Sequence, residues 1–349
     1  MNIQRLFKPV DNIQLVLFRM VLGLLIALET GGAIATGWVK RTLIDPPFTF
    51  PFFGLDFLQP LPGNGMYVYF GCMAVLGLLV MVGLYYRASI IAFTVMWTII
   101  YLMQKTSYNN HYYLLVLLGF LMSLVPAHAS HSIDAHRKQK QVHECPAWCI
   151  WIFIAQIGMV YTFAAIAKLH GDWLNGLATK AILESRSHTP VLGLLFDERW
   201  FQLFVAYAAI AFDLLITPLL LWPPTRTAAF VASWCFHLFN SYVFQIGIFP
   251  YLSIAFALFF YPPATLRKVF LRQQQGPAIP SVAPSPSWGI TIFLALYVLI
   301  QLVLPLRHHW IQGDVLWTEE GHRHAWRMML RSKRGQLVLR VHDVATGEQ

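Results

Sequence analysis

Apolar runs of about 20 residues recur from Ile13 to Pro305, and they constrain this chain more than any other feature. Backbone inside lipid has to satisfy its own N–H and C=O groups, so runs of this length fold as spanning helices. Hydropathy and length place about nine spans. They are Ile13–Ala35, Met66–Tyr85, Ala88–Met103, Asn109–Val125, Cys149–Lys168, Trp200–Trp222, Ala228–Phe244, Ile246–Tyr261 and Trp288–Pro305. The 349 residues are 57% hydrophobic and only 12% charged, about half the charge of a soluble domain. The fold expected is therefore an all-α polytopic membrane protein. The net charge of +9 does not call for nucleic acid, because cytoplasmic loops of membrane proteins are routinely basic.

The basic residues also orient the chain. With the N-terminus inside, the inner loops hold Arg5, Lys8, Arg87, Arg137, Lys138, Lys140, Arg226, Arg267, Lys268 and Arg272. The short outer loops hold fewer: Lys40, Arg41, Lys105, Lys180, Arg186 and Arg199. The basic tail after Arg307 lies outside on this topology, but long extramembrane segments count for little in the rule. The first run has no small-residue cleavage site after it and is expected to stay as a span. Two divisions follow: a membrane domain over 1–306, and an extracytoplasmic tail over 307–349 that begins a β region at Leu337–Val341. The segment Pro262–Ser287 is rich in Pro and Gln and is expected to be extended or disordered.

Charged residues inside spans are costly and should face the bundle interior. Arg19 and Glu29 lie about 15 Å apart along one helix, so each needs a partner other than the other. Lys168 ends the fifth span, where oil gives way to water. Desolvation disfavours an ammonium there, so a lysine at this position can be uncharged near neutral pH and act as a base. The plain structural alternative is a snorkelling anchor. On the topology above, three more polar stretches fall at the same face: Asn109, Asn110 and His111; His237, Asn240 and Ser241, on one helical face by their spacing; and the tail around Trp317–Trp326. Each has a bland reading. Asn109 can cap a helix, His237 with Asn240 can be an interhelical hydrogen-bond pair, and the Trp-rich tail can be an aromatic belt. Together, an amine, imidazoles, amides and aromatics at one depth suit a lipid-soluble, oxygen-bearing ligand such as a quinol. The four cysteines indicate neither a disulfide framework nor a metal site. There is no internal repeat, P-loop, dinucleotide fingerprint or zincin helix.

At these residues the sequence resembles the vitamin K-dependent gamma-glutamyl carboxylase family. The phrases that carry the resemblance include Phe18-Arg19, Leu58-Gln59-Pro60-Leu61-Pro62, Gly83-Leu84-Tyr85-Tyr86-Arg87 and Lys105-Thr106-Ser107-Tyr108-Asn109-Asn110-His111. They continue with Ala167-Lys168-Leu169, Asp172-Trp173, Phe236-His237, Asn240-Ser241, Ile246-Gly247, Phe249, Trp317-Thr318, Trp326 and Met328-Met329. The resemblance implies oxidation of vitamin K hydroquinone by O2 to the 2,3-epoxide, coupled to carboxylation of peptide glutamate with CO2. The γ-proton of glutamate is too weakly acidic for any side chain, so a protein amine deprotonates only the quinol. The strong base then comes from the quinol's reaction with O2, and it survives only where water is excluded. By the same resemblance Lys168 is the base and His111 assists proton transfer. Asn109, Asn110, His237 and Asn240 line the head-group pocket, and Trp326, Met328 and Met329 pack near the ring or the glutamate. No metal is implied. The implied partners are a glutamate-containing peptide and the bilayer.

Animal members of the family run on into an extramembrane β-rich region, whereas this sequence stops at Gln349. A truncated chain and a short homologue that only epoxidises quinol both remain open. Two further classes stay in play: a quinone- or haem-binding redox protein with His111 and His237 as axial ligands, and a transporter or scaffold. The sequence has no Asn-x-Ser/Thr sequon, which favours a bacterial inner membrane with the site toward the periplasm. In a eukaryote the same face would be the ER lumen.

Overall fold

The computed structural model describes residues 3–244, 246–273, 276 and 285–327. Helices stand at each of the nine places that hydropathy marks. They are α1 Ile13–Ala35, α2 Gly65–Val82, α3 Tyr86–Met103, α4 Asn110–Leu124, α5 Trp148–Ala167, α6 Arg199–Leu221, α7 Arg226–Phe244, α8 Phe249–Phe256 and α9 Trp288–Leu306. Six of them, α1, α2, α3, α5, α6 and α9, are long and apolar enough to cross a membrane. The expected count of about nine spans is therefore not confirmed: among the described residues the other three helices fall short of that measure in length or polarity. α4 has 15 residues, about 22 Å, which is short of a ~30 Å hydrocarbon core. α8 with its 3-10 continuation Ala257–Phe260 is shorter still. α7 has 19 residues, but Thr227, Ser233, His237, Asn240 and Ser241 dilute its apolar content.

Two short strands were not legible in the hydropathy. β1 Pro9–Asp11 pairs antiparallel with β2 Glu144–Pro146, Val10 opposite Cys145. This clasp puts the starts of α1 and α5 at one end of the bundle and Lys168 at the other. The linker after Tyr261 is also not extended at its start. Pro263–Leu266 and Arg267–Leu271 are helical turns. They are pinned by the buried Arg267 guanidinium, whose Nε and Nη2 donate to the two oxygens of Asp11 at 2.7 and 2.8 Å. Such a forked, charge-assisted pair fixes orientation as well as distance. The strand expected over Leu337–Val341 lies outside the described residues, as do Met328 and Met329.

Tight packing explains how α1 and α2 approach. A Cβ at Gly23 would run into the backbone nitrogen of Met81, and one at Gly77 would lie 2.7 Å from the Ala27 nitrogen. Aromatic rings then join α1, α5 and the α8 region: Phe153 stacks flat on Phe259 at 4.8 Å, with Phe18 at 4.8 Å from the same ring. Arg19 and Glu29 find separate partners, as their spacing requires. Arg19 is fully buried and donates to the His131 carbonyl at 2.7 Å. Glu29 accepts from the Tyr112 hydroxyl at 3.1 Å.

One depth relation positions the site. Gln14, in the first turn of α1, donates to the carbonyls of Phe259 and Tyr261, so the far end of the α8 region lies level with the start of α1. The other end of α8 begins beside Glu29, because the Cα of Gly247 faces the Glu29 carboxyl, with a would-be Cβ at 3.3 Å. α1 continues six residues past Glu29, about 9 Å. The starts of α4 and α8 are thus recessed below the rim at the Lys168 end, and open space remains above them.

The Gly23 contact makes a signed prediction. Gly23→Ala should destabilise the protein by roughly 1–3 kcal/mol through overpacking against backbone that cannot move aside. Gly31→Ala, on the same helix with nothing near its Cβ position, should be neutral or stabilise by up to about 1 kcal/mol. Thermal unfolding in detergent micelles reads both, and equal effects would refute the close approach.

Candidate functional site

The recessed helix starts leave two cavities at the Lys168 end. The first, about 550 Å³, is lined almost wholly by apolar and aromatic side chains from α6, α7 and the segment after Lys168. Its polar members are few: Lys168, Asp213, His111, His237, Tyr161, Asn240 and Thr179. The second, about 710 Å³, is far more polar. Glu29, Tyr108, Asn109, Asn110, Tyr112, His322 and Arg327 line it. His111, Ile246 and Phe249 line both cavities and form their common wall.

Lys168 is the C-cap of α5 and is buried. Its Nζ donates to the Asp213 carboxylate at 2.7 Å and to the Ala164 carbonyl at 3.0 Å. It also lies 5.5 Å from the Trp173 ring centroid. A snorkelling anchor would hold its head in the interface, and this one points inward. Asp213 is the residue that sequence reasoning missed as a partner. It stands on α6, 45 positions from Lys168, and only its placement inside an apolar run marked it. A buried ion pair can hold its proton on either partner, as ammonium with carboxylate or as amine with carboxylic acid. The second form presents the uncharged nitrogen that base chemistry needs.

Short helices roof the first cavity. Gly171–Leu174, Leu177–Glu184 and Gly193–Phe196 fold over the outer half of α6. Three hydrogen bonds fasten them: Trp173 Nε1 to the Ala206 carbonyl at 3.0 Å, Thr179 Oγ1 to that of Gln202 at 2.9 Å, and Gln202 Nε2 to that of Phe196 at 2.9 Å. Trp173, Thr179, Ile182, Leu183 and Leu192 face the cavity from this roof.

The imidazoles sit deeper. His237 is fully buried and shares a hydrogen bond of 3.0 Å with the Tyr161 hydroxyl through Nε2. His111 stacks on Phe249 at 3.9 Å between ring centroids. The Nδ1 atoms of both histidines are buried without a hydrogen-bond partner. Two unpaired ring nitrogens at one cavity are the kind of deficit that a polar ligand removes.

The other expected site residues divide. Asn109 does cap α4, its Oδ1 accepting from the Tyr112 N–H at 2.8 Å, and it also borders the polar cavity. Asn110 docks the C-terminal segment: it accepts from Tyr108 at 2.7 Å and donates to the Arg327 carbonyl at 2.9 Å. Trp326 is buried against Tyr113, 5.2 Å between centroids, and lines neither cavity. The structure therefore gathers Lys168, His111, His237 and Asn240 at one cavity and Asn109, Asn110 and His111 at the next. Arg327, His322 and Glu29 join the second without having been expected. His322 lies outside the spanning helices, and burial with Arg323, Arg327 and Arg307 nearby pushes its pKa down to about 4. It is a neutral hydrogen-bonding group at physiological pH. Among the described residues no group of three His, Cys, Asp or Glu side chains is placed to hold a metal.

Breaking the buried pair from one side should be costly. Asp213→Leu strands the Lys168 ammonium and should lower stability by about 3–5 kcal/mol. Adding Lys168→Met to Asp213→Leu should recover most of that loss, since an apolar pair of similar volume fits the apolar surroundings. Denaturant or thermal unfolding of the single and double variants measures the coupling, and additive losses would contradict it.

Two family models match the chain. Residues 7–264 match the family model described as the HTTM domain. Residues 287–349 match the one described as the vitamin K-dependent gamma-carboxylase, lumenal domain. The second match begins just before α9, one helix earlier than the division at residue 306 that hydropathy gives. No solved structure matches the chain. With its membrane domain matched over most of its length and the lumenal-domain match following in order, the chain belongs to the vitamin K-dependent gamma-carboxylase family.

Proposed function

We propose that this chain is a vitamin K-dependent gamma-glutamyl carboxylase, with the hydroquinone held in the apolar cavity and the glutamyl side chain of a peptide in the polar one. The observation that carries the reading is the pair of cavities of opposite polarity that share the His111 wall, with Lys168 buried in the apolar one. A reaction that couples a greasy reductant to an acidic side chain needs two such compartments in contact. Bound there with O2, the hydroquinone supplies the strong base that no side chain provides.

The remaining work falls to named groups. Lys168 accepts a proton from a quinol hydroxyl, and Asp213, hydrogen-bonded to the same nitrogen, holds the amine in place and balances its charge. The unpaired Nδ1 atoms of His111 and His237, with the Asn240 amide, orient the head-group oxygens. His111 stands where proton movement between the cavities has to pass. On the polar side the Arg327 guanidinium, held by His308 at 2.9 Å, attracts the glutamyl carboxylate. Asn110 and Tyr108 set the position of that arginine through the backbone of the C-terminal segment. The roof over the apolar cavity keeps water from a base that water would quench. Trp326 braces Tyr113 beneath that segment. CO2 is small and apolar and needs no dedicated charge. On the topology from basic residues, the site faces away from the cytoplasm, toward the periplasm in a bacterium or the lumen of the ER.

The test is direct. The protein in nanodiscs, given reduced vitamin K, O2, labelled CO2 and a glutamate-containing peptide, should form epoxide and carboxylated peptide together. Lys168→Ala should lower both by roughly a hundredfold or more, the scale of a lost general base. A small primary amine in the buffer should restore part of the rate. Wild-type rates in Lys168→Ala without added amine would overturn the assignment of the base. Epoxide without carboxylated peptide would leave quinol epoxidation as the whole activity.

A further inference from the structure

The polar cavity carries an acidic and a basic side chain on separate walls. Glu29 stands on α1, and Arg327 on the C-terminal segment that Asn110 docks against the start of α4. Among the described residues the ion pairs are Lys168–Asp213, Lys180–Glu184 and Arg267–Asp11, so neither Glu29 nor Arg327 is in one. Asp314 acts on Arg327 only at longer range. Each of the two is held by neutral groups instead. The Tyr112 hydroxyl donates to Glu29 at 3.1 Å, and Arg327 Nη2 donates to His308 Nε2 at 2.9 Å. Such hydrogen bonds orient a charge without cancelling it. The space over Glu29 is open. Gly32, Ala33 and Thr36 follow it toward the rim on the same face of α1 and line the cavity too. A Cβ at Gly32 would meet nothing within 4 Å. On its other side Glu29 has Gly247 and the start of α8, where the positive end of the helix dipole suits an anion.

A bare glutamyl side chain answers half of this arrangement. Its carboxylate suits Arg327 and is repelled by the carboxylate of Glu29. We propose that the polar cavity is a two-pole subsite, in which Arg327 takes the glutamyl carboxylate and Glu29 takes a cation carried beside that glutamate. The proposal rests on the glutamyl reading of the cavity and adds to it the class of peptide. The cation is either the α-ammonium of an amino-terminal glutamate or the side chain of an adjacent lysine or arginine, which present the same charge. A cavity of about 710 Å³ encloses a drug-sized group, so the two charges have to come from the same residue or from neighbours. Two anchor points also fix the direction of the glutamyl side chain, where one would leave it free to swing.

Peptide binding tests this without relying on turnover. Short peptides with a fluorophore at the carboxyl end are titrated into the full chain in nanodiscs, as two matched pairs. The first pair is a peptide with a free amino-terminal glutamate and its N-acetylated form. The second is an N-acetylated peptide with lysine beside the glutamate and the same peptide with glutamine in place of the lysine. In at least one pair the cationic member should bind roughly tenfold tighter, the scale of a close charge pair in a partly enclosed site. The advantage should shrink as salt rises, and the pair that shows it identifies the source of the cation. Glu29→Gln keeps the shape and an acceptor for Tyr112, and should erase the ratio while the unfolding temperature shows that the fold is kept. Arg327→Gln should weaken every glutamyl peptide. Equal affinities within both wild-type pairs, or a preference that survives Glu29→Gln, would overturn the subsite and leave Glu29 as a support for the start of α8, with glutamyl binding intact. Affinities that stay the same when the glutamate itself is replaced by glutamine would sink the glutamyl reading and the subsite with it.

Discussion

One contact organises the Lys168 end of this protein: the Lys168 nitrogen and the Asp213 carboxyl, 2.7 Å apart in a cavity lined mostly by apolar side chains. This hydrogen bond holds α5 and α6 in a fixed relation at that level. Paired charges also make the cavity tolerable to build. A lone lysine at that burial would be neutralised or would drag water in. The roof helices, the recessed starts of α4 and α8, and the His111 wall all take their positions around this point.

Much of the architecture was legible because hydropathy reports burial in lipid directly. The nine helix sites and the common end shared by Asn109–His111, Lys168, His237 and the tail follow from run lengths and direction alone. Helix ends were less legible. The start of α4 depends on the Asn109 cap, and the start of α8 on a proline in its first turn, which a hydropathy window averages away. That is why two helices were read as longer than they are. β1 and β2 were missed because three residues per strand carry no period to detect. The helical turns after Tyr261 were missed because a long-range ion pair, not local propensity, holds them.

At the site, what could be read was each residue's face, and what could not was its partner. The i, i+3 spacing put His237 and Asn240 on one side of α7 correctly. Nothing in one sequence links position 168 to 213, or Glu29 to Tyr112, since these contacts arise only once the bundle is assembled. For Trp326 the motif context gave a neighbourhood, and the structure adds the contact: the C-terminal segment docks through Asn110 and the indole packs on Tyr113.

The Asn110–Arg327 hydrogen bond has a consequence for biosynthesis. The apolar cavity is assembled from residues between 111 and 249, whereas His322 and Arg327 on the polar side reach the membrane only after a further helix has been inserted. The two cavities are therefore completed in sequence during synthesis, the apolar one before the far compartment has its cationic rim.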